Sequence, residues 1–274
     1  RSYDKDLFRP IFDQIINYQL IPQAPQGWRR LDLWNLARII RGLDADLFHA
    51  HAEPNVVPKV VIENANAPVI FDGYDFSTVR RSEKFVGQIE VTAERYCFEH
   101  ASGIIYKGSE VEYLREKYAL TIPSLHFMDY CTSEFEVTDF SPKFSQTDGQ
   151  THLVYTGVIA PTHYSKRQYG YAQYLDIARS LSQQKLHFHI YPNPFQSQNL
   201  PKYRLLAKKN EYFHLHRSII GNRDLNQEIS RYDYGCLLHD FRGTDVQDIW
   251  PNTTIGNKSF GYLEANLPII VGDN

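Results

Sequence analysis

The chain has 274 residues, close to twice the roughly 150 of a typical domain, so two domains each able to bury a core are expected. Hydrophobic residues at 42%, charged residues at 22% and aromatics at 14% place it among ordinary globular proteins, outside the disordered and collagen-like classes. Lys+Arg 29 against Asp+Glu 32 leaves a net charge of -3, which excludes a general electrostatic pull toward nucleic acid or an anionic bilayer and makes any basic site a local one.

The first clear pattern is a helix over 31–43, where Leu33, Trp34, Leu36, Ala37, Ile40 and Leu43 recur at the three- and four-residue spacing of one buried face. A strand over 46–51, a helix opening at Pro54 and a strand over 68–72 complete a β–α–β unit. The alternation continues with a long charged helix over 81–100, a strand over 103–106, a helix over 109–118 and a strand over 124–127. Periodicity then fails between 130 and 151, where Ser, Thr, Asp, Pro and Gly accumulate, and this stretch reads as a linker. Beyond it come strands over 152–156, 186–191, 212–216, 234–238 and 267–271. Between them lie helices over 169–184 and 203–209, one capped near Asp224, and one over 258–266. Strands alternating with helices predict mainly parallel sheets, in domains spanning 1–142 and 151–274.

No run approaches the 18 or more apolar residues of a membrane helix, and no charged-then-apolar leader opens the chain. Cys97, Cys131 and Cys236 are odd in number and show no CxxC spacing, so neither a disulfide framework nor a zinc knuckle is expected. The reading is a soluble protein of the reducing cytoplasm. A start at Arg1 and a stop at Asn274 directly after a strand suggest a piece of something longer, lacking a first Gly-rich strand–loop and its C-terminal end.

Two places invite an anionic ligand. The strand ending at Gly157 hands the chain to a helix through a loop containing Ser165, Lys166 and Arg167, which offers backbone N–H groups and cations; a glycine turn with solvated basic residues is the alternative. The polar loop 252–257 ends at Asn257, an N-cap candidate, with Lys258 in the first helical turn. A cation there opposes the helix dipole by about 0.3–1 kcal/mol, a cost relieved by an anion bound between them; a solvent-facing lysine that tolerates the penalty is the alternative. Asp72 and Asp75 follow a strand end, where open α/β sheets place ligands, and either a carboxylate that orients an acceptor hydroxyl or an Asx-turn residue fits that position. His51 also stands at a strand end, with His49 on the same face.

These features together resemble the retaining glycosyltransferases of the GT-B fold, family four above all. ADLFHAH at 45–51 resembles the family's "pDvvHaH" strand, and PVIFDGYD at 68–75 its next strand and acceptor-side loop. Glu94 and Arg95 through ASGIIY at 101–106 to Ser109 resemble its following helix, strand and serine. LVYTG at 153–157 resembles "lvyvG", and NKSFGYLEANLPII at 257–270 resembles "nKlfeYlaaGlPvi". The resemblance implies an α/β fold of two Rossmann-like domains facing a cleft, both with mainly parallel sheets. It implies a hexosyltransferase, retaining in type, that moves a sugar from a nucleotide-sugar donor to a hydroxyl of a saccharide or lipid-linked acceptor in polysaccharide or glycoconjugate synthesis. Neither a cofactor nor a metal is implied, nor a nucleic-acid partner; peripheral membrane association of the whole protein is compatible with it. Lys166, Arg167 and Lys258 become the diphosphate ligands, Gly157 the point of close backbone approach, and Asp75 and His51 the catalytic candidates on the acceptor side.

The chain departs from the family at its pair of glutamates, whose places hold Thr253 and Gly261; Glu264, one turn on, is the substitute candidate for a sugar or ribose hydroxyl, against an ordinary surface role. Asn266 stands where the family has glycine, and asparagine tolerates the left-handed conformation required there. The missing carboxylates motivate a second reading, a non-catalytic protein that binds a nucleotide sugar or a partner enzyme. A third is a metal-dependent hydrolase, because His-x-His occurs at His49/His51, His187/His189 and His214/His216, and strand geometry aims both imidazoles of a pair the same way, as in amidohydrolase-type barrels. The mid-chain linker, which breaks an eight-fold barrel count, and the lack of an acidic cluster near the second and third pairs speak against it. Asp44 and Asp46 match a DxD motif but precede their strand, the wrong end of a sheet for a ligand.

Overall fold

The computed structural model describes residues 26–51, 54–73, 75–119, 121–193, 200–219, 221–253 and 256–272. Two compact units emerge, one from 1–77, 87–106 and 114–125, the other from 78–86, 107–113 and 126–274. Segment 126–142, which the sequence reading assigns to the first domain, therefore lies with the second.

Helix α1 (Gln26–Arg41) leads to β1 (Phe48–His51), α2 (Val56–Asn64), β2 (Val69–Asp72), α3 (Gln88–His100), β3 (Gly103–Tyr106), α4 (Glu110–Tyr118) and β4 (Ser124–His126). The four strands form one sheet in chain order β1-β2-β3-β4, and β1 to β3 pair in parallel. Helix crossovers between parallel neighbours require both sheet faces to be apolar. Ile40, Phe48, Ala50, Val61 and Val69 fill one cluster, and Phe71, Phe76 and Phe98 pack ring against ring with centroids 5.2–6.2 Å apart.

The long helix expected over 81–100 is broken. A single helical turn at Ser77–Arg80 precedes it, its first part is a 3-10 turn at Glu83–Phe85, and α3 begins only after the extended Gly87 (ψ 137°). Segment 78–86 is drawn into the second unit: Gln247 Nε2 donates to the carbonyls of Thr78 (2.7 Å) and Val79 (2.9 Å), and Arg81 bridges Val246. Charge periodicity cannot register such long-range pulls.

The second unit contains β5 (His152–Gly157), α5 (Leu175–Gln183), β6 (His187–Pro192), α6 (Pro201–Lys209), β7 (Phe213–Leu215), α7 (Asn222–Ile229), β8 (Tyr234–Leu237), α8 (Lys258–Glu264) and β9 (Ile269–Val271). Its sheet runs β7-β6-β5-β8-β9, all pairs parallel, with β5 and β6 matched from His152↔His187 to Gly157↔Pro192. One face carries Leu153, Tyr155, Phe188, Ile190 and Phe213; the other carries Val154, Tyr191, Tyr232 and Tyr262. The helix expected over 169–184 is likewise interrupted, by a 3-10 turn at Gly170–Ala172, because Ala172 turns its carbonyl to Ala160 N (2.8 Å) and Tyr174 N turns to the Tyr203 hydroxyl (2.8 Å).

Both described sheets are open and parallel. The closed barrel that a His-x-His hydrolase reading required is not their architecture. Among the described residues, no helix is long and apolar enough to cross a membrane.

Candidate functional site

Chain order in the second sheet goes outward from β5 through β6 to β7, then returns to the other side of β5 for β8 and β9. That reversal is a topological switch point, and the crevice beyond the carboxyl ends of its strands is where open α/β sheets bind ligands. β5 and β8 pair through only Leu153↔Tyr234 and Val154↔Gly235. Above those pairs the Tyr262 hydroxyl stands between the strands, accepting from Thr156 N (3.1 Å) and donating to the Cys236 carbonyl (3.2 Å). Gly235 makes room for the ring, since a Cβ there would meet Tyr262 Cγ at 2.5 Å. Tyr262 is fully buried, so α8 is fixed to the splayed strand ends.

One helical turn before Tyr262, Lys258 occupies the same face of α8. Its side chain runs across Gly157 at the tip of β5: a Cβ on Gly157 would lie 2.5 Å from Lys258 Cε, and Gly157 has φ +124°, a backbone conformation that side chains resist. Lys258 Nζ lies 5.5 Å above the ring of Tyr155, whose hydroxyl donates to Val158 O (2.8 Å). The structure thus brings together two residues that are 101 positions apart in sequence (258 less 157).

His239, just past β8, joins this cluster and was not singled out by the sequence reading. Its Nδ1 donates to the Tyr171 carbonyl (3.1 Å) and lies 2.9 Å from the Tyr174 hydroxyl. Burial, and then the nearby Lys258 charge, push its pKa down to about 4, so it is neutral at pH 7. A histidine close after a strand is the signal the sequence offers for it. His239 also lines an open cleft of about 950 Å³ beyond β8 and β9, together with Asp240, Arg242, Thr244, Asp248 and Asn252.

The remaining donor-side candidates have other engagements. Lys166 pairs with Asp176 at 3.3 Å while both side chains stay largely exposed (78% and 71%), a contact worth little in water. The Arg167 guanidinium stacks on Phe85 at 4.1 Å, and its carbonyl accepts from Asp245 N (2.8 Å). Asn257 does not cap α8 through its side chain; its backbone is helical and its Oδ1 accepts from Lys107 Nζ (2.7 Å). Glu264 is no surface residue: it is buried, with one oxygen accepting from Thr132 N (2.9 Å) and the other from Asn226 Nδ2 (2.9 Å). It ties segment 132–137 to α8 and α7, helped by Val137 N donating to its carbonyl (2.8 Å). Asn266 takes the left-handed conformation its position calls for, with φ +53°.

In the first unit, β1 turns His49 and His51 outward at its carboxyl end. Both meet the same carboxylate oxygen of Asp72, at 2.9 Å from His49 Nε2 and 3.0 Å from His51 Nδ1. Asp75 lies half-buried in the turn that follows β2. His51 is thus in contact with the Asp72 carboxylate.

No protein-family model and no curated sequence matches this chain. Solved structures do. A sucrose-phosphate synthase from Thermosynechococcus elongatus aligns over 93% of this chain and 63% of its own, at 10% identity and a TM-score of 0.63. The pneumococcal O-GlcNAc transferase GtfA, solved with UDP and GlcNAc, aligns over 88% and 44%, at 15% identity and a TM-score of 0.57. The chain has the GT-B fold. A Listeria monocytogenes protein described as a UDP-N-acetylglucosamine 2-epimerase shares it, over 97% and 67%, at 10% identity and a TM-score of 0.53. The chain spans 44–67% of the length of these three GT-B proteins.

Proposed function

We propose that the protein is a glycosyltransferase that moves a sugar from a nucleotide-sugar donor to a hydroxyl acceptor. The observation that carries this reading is the pairing of Lys258 with Gly157 at the switch point of the second sheet. A nucleoside diphosphate leaving group gains negative charge as the glycosidic bond breaks, and a lysine held over an unhindered backbone turn stabilises that charge where it develops. The neutral His239 supplies a hydrogen-bonding group beside it without adding a competing charge. Lys166 surrenders little on leaving Asp176 for a phosphate, so it and Arg167 serve as further diphosphate ligands. With cations in this role the reaction needs no metal.

On the acceptor side, Asp72 holds His51 by Nδ1 and so sets its tautomer, as the carboxylate of a catalytic triad orients its histidine. Asp75 then orients the acceptor hydroxyl, and the His51 imidazole takes its one proton on Nε2. Hexosyl transfer with retention, in polysaccharide or glycoconjugate synthesis in the cytoplasm, is the form of the reaction that the family resemblance implies.

A fold shared with a protein described as an epimerase does not choose the reaction, which the site must do. The absent carboxylates at Thr253 and Gly261 support a second reading, nucleotide-sugar binding without turnover; Thr253 instead spends its hydroxyl on the Ile249 carbonyl (2.7 Å). Calorimetry with a panel of nucleoside diphosphates and their sugars, followed by an assay for released nucleoside diphosphate, separates the two. Binding with release in the presence of an acceptor supports the transferase, and binding without release across a broad acceptor panel supports the second reading. Lys258→Ala weakens the best ligand about 10- to 100-fold, the worth of a charge-assisted hydrogen bond. Unchanged affinity removes Lys258 from the site.

A further inference from the structure

The opposite, amino-terminal end of the second sheet carries a cluster that the donor site does not use. His152 opens β5, His187 and His189 lie on β6, His214 lies on β7 and His216 directly follows it. Alternation along parallel strands turns all five imidazoles to one face. Phe144 packs on His152 and His189, and Tyr232 packs on His189.

The ring nitrogens meet in pairs. His152 Nδ1 lies 3.0 Å from His189 Nε2, and His187 Nδ1 lies 2.9 Å from His214 Nε2. His152, His187 and His189 each offer a nitrogen within 4.8 Å of the others. Each of these three rings is also held from behind by its second nitrogen. His152 Nε2 meets Asp148 Oδ2 at 3.0 Å, His187 Nε2 meets Gln150 Oε1 at 3.2 Å, and His189 Nδ1 meets His216 Nε2 at 2.9 Å. Asp148, in the turn before β5, is the acidic residue that meets the cluster.

We propose that His152, His187 and His189, with His214 as a fourth donor, bind one divalent transition-metal ion of the imidazole-preferring class, of which Zn²⁺ is the type, as a structural site. Metal-binding imidazoles are commonly oriented by a carboxylate, carbonyl or similar group on the nitrogen away from the metal, and Asp148, Gln150 and His216 stand in those places. Metal–nitrogen bonds of 2.0–2.1 Å set neighbouring ligand nitrogens about 3.3 Å apart in a tetrahedron, near the two paired separations seen here. His187 now stacks on His152 with ring centroids 4.5 Å apart and planes 7° from parallel. Binding turns it out of that stack so that its lone pair converges with the rest. Nitrogen-only ligation favours zinc, copper and nickel over magnesium, calcium and manganese. The ligands join β5, β6 and β7 at the sheet edge remote from Gly157, so the ion fastens strands and takes no part in sugar transfer.

The test is metal content by mass spectrometry on chelator-treated protein after equilibration with Zn²⁺ and desalting, with Co²⁺ absorption reporting geometry and thermal unfolding reporting the gain in stability. The expected results are one Zn²⁺ per chain, the absorption bands of tetrahedral nitrogen-ligated Co²⁺, and a rise in Tm that EDTA reverses. His189→Gln abolishes all three. Because that variant sits in the core, Asp148→Asn, on a partly exposed side chain, is the second probe and weakens Zn²⁺ about 10- to 100-fold. Failure to retain Zn²⁺, or retention unchanged in both variants, overturns the proposal and leaves the five imidazoles as a hydrogen-bonded layer.

Discussion

Tyr262→Phe isolates the group that shapes the switch point. The substitution removes one oxygen and leaves the ring, so packing against Gly235 is kept while two hydrogen bonds vanish. Thr156 N–H and the Cys236 carbonyl lose their partner in a place where Cys236 is 0% and Thr156 8% exposed, so water does not readily replace it. An unsatisfied buried polar group costs about 1–3 kcal/mol, so two of them, partly relieved by relaxation, destabilise the second unit by about 2–4 kcal/mol. A methyl-for-methyl cavity argument would give almost nothing, which makes the expectation specific. The assay is guanidinium denaturation followed by hydrogen exchange at the β5 amides, since exchange reports the second unit without requiring the whole chain to unfold in one step. Tyr130→Phe, at a side chain 65% exposed, is the control and stays within about 0.5 kcal/mol. A loss below about 1 kcal/mol in Tyr262→Phe, with exchange at Thr156 unchanged, would show that the hydroxyl does not hold the strands and would remove the explanation of how Lys258 is positioned.

Other expectations follow from the same geometry. Gly157→Ala forces a side chain into φ +124° and against Lys258, costing about 1–3 kcal/mol of stability and weakening nucleotide binding in calorimetry; wild-type behaviour in both would refute the close approach. His239 has a folded pKa of about 4 against about 6.5 unfolded, so the unfolded chain binds the extra proton between those values. Its effect is absent above pH 6.5 and grows as pH falls toward 4, reaching a loss of about 2 kcal/mol at pH 5. His239→Gln removes that share of the slope in paired denaturation curves at pH 7 and pH 5, and identical slopes would contradict it. Glu264→Gln presents an amide N–H₂ to one of two N–H donors and destabilises by about 1–2 kcal/mol, with faster exchange at Thr132; an unperturbed Thr132 amide would argue against the tie. Asp72→Asn leaves the fold intact but moves the NMR signals of the His51 ring nitrogens, and unmoved signals would refute the contact.

Strand–helix alternation was legible because parallel strands buried on both faces appear as short apolar runs; 103–106 was placed to the residue, and the remaining strands to within two. The interrupted helices at 81–100 and 169–184 were not legible, because their breaks answer to distant partners such as Gln247 and Tyr203. In the candidate site, the glycine at 157 and the lysine at 258 were each visible as local punctuation, and the family resemblance supplied a reason to connect them. His239 was missed because its meaning lies in a neighbour contributed by α8, nineteen positions further along the chain (258 less 239).

By itself the amino-acid sequence determined the α/β class and the alternation of elements, and it nominated candidates to hold an anion or an acceptor, since these depend on periodicity, turn chemistry and side-chain type over short spans. Tertiary structure alone decided which of them meet. Strand order sent β8 back beside β5 and made a crevice there, Tyr262 held it open and set Lys258 over Gly157, and burial turned Glu264 into an internal tie. The reason is physical: contact, desolvation and hydrogen-bond partnership are properties of neighbours in space, and parallel pairing brings together residues that the chain keeps far apart.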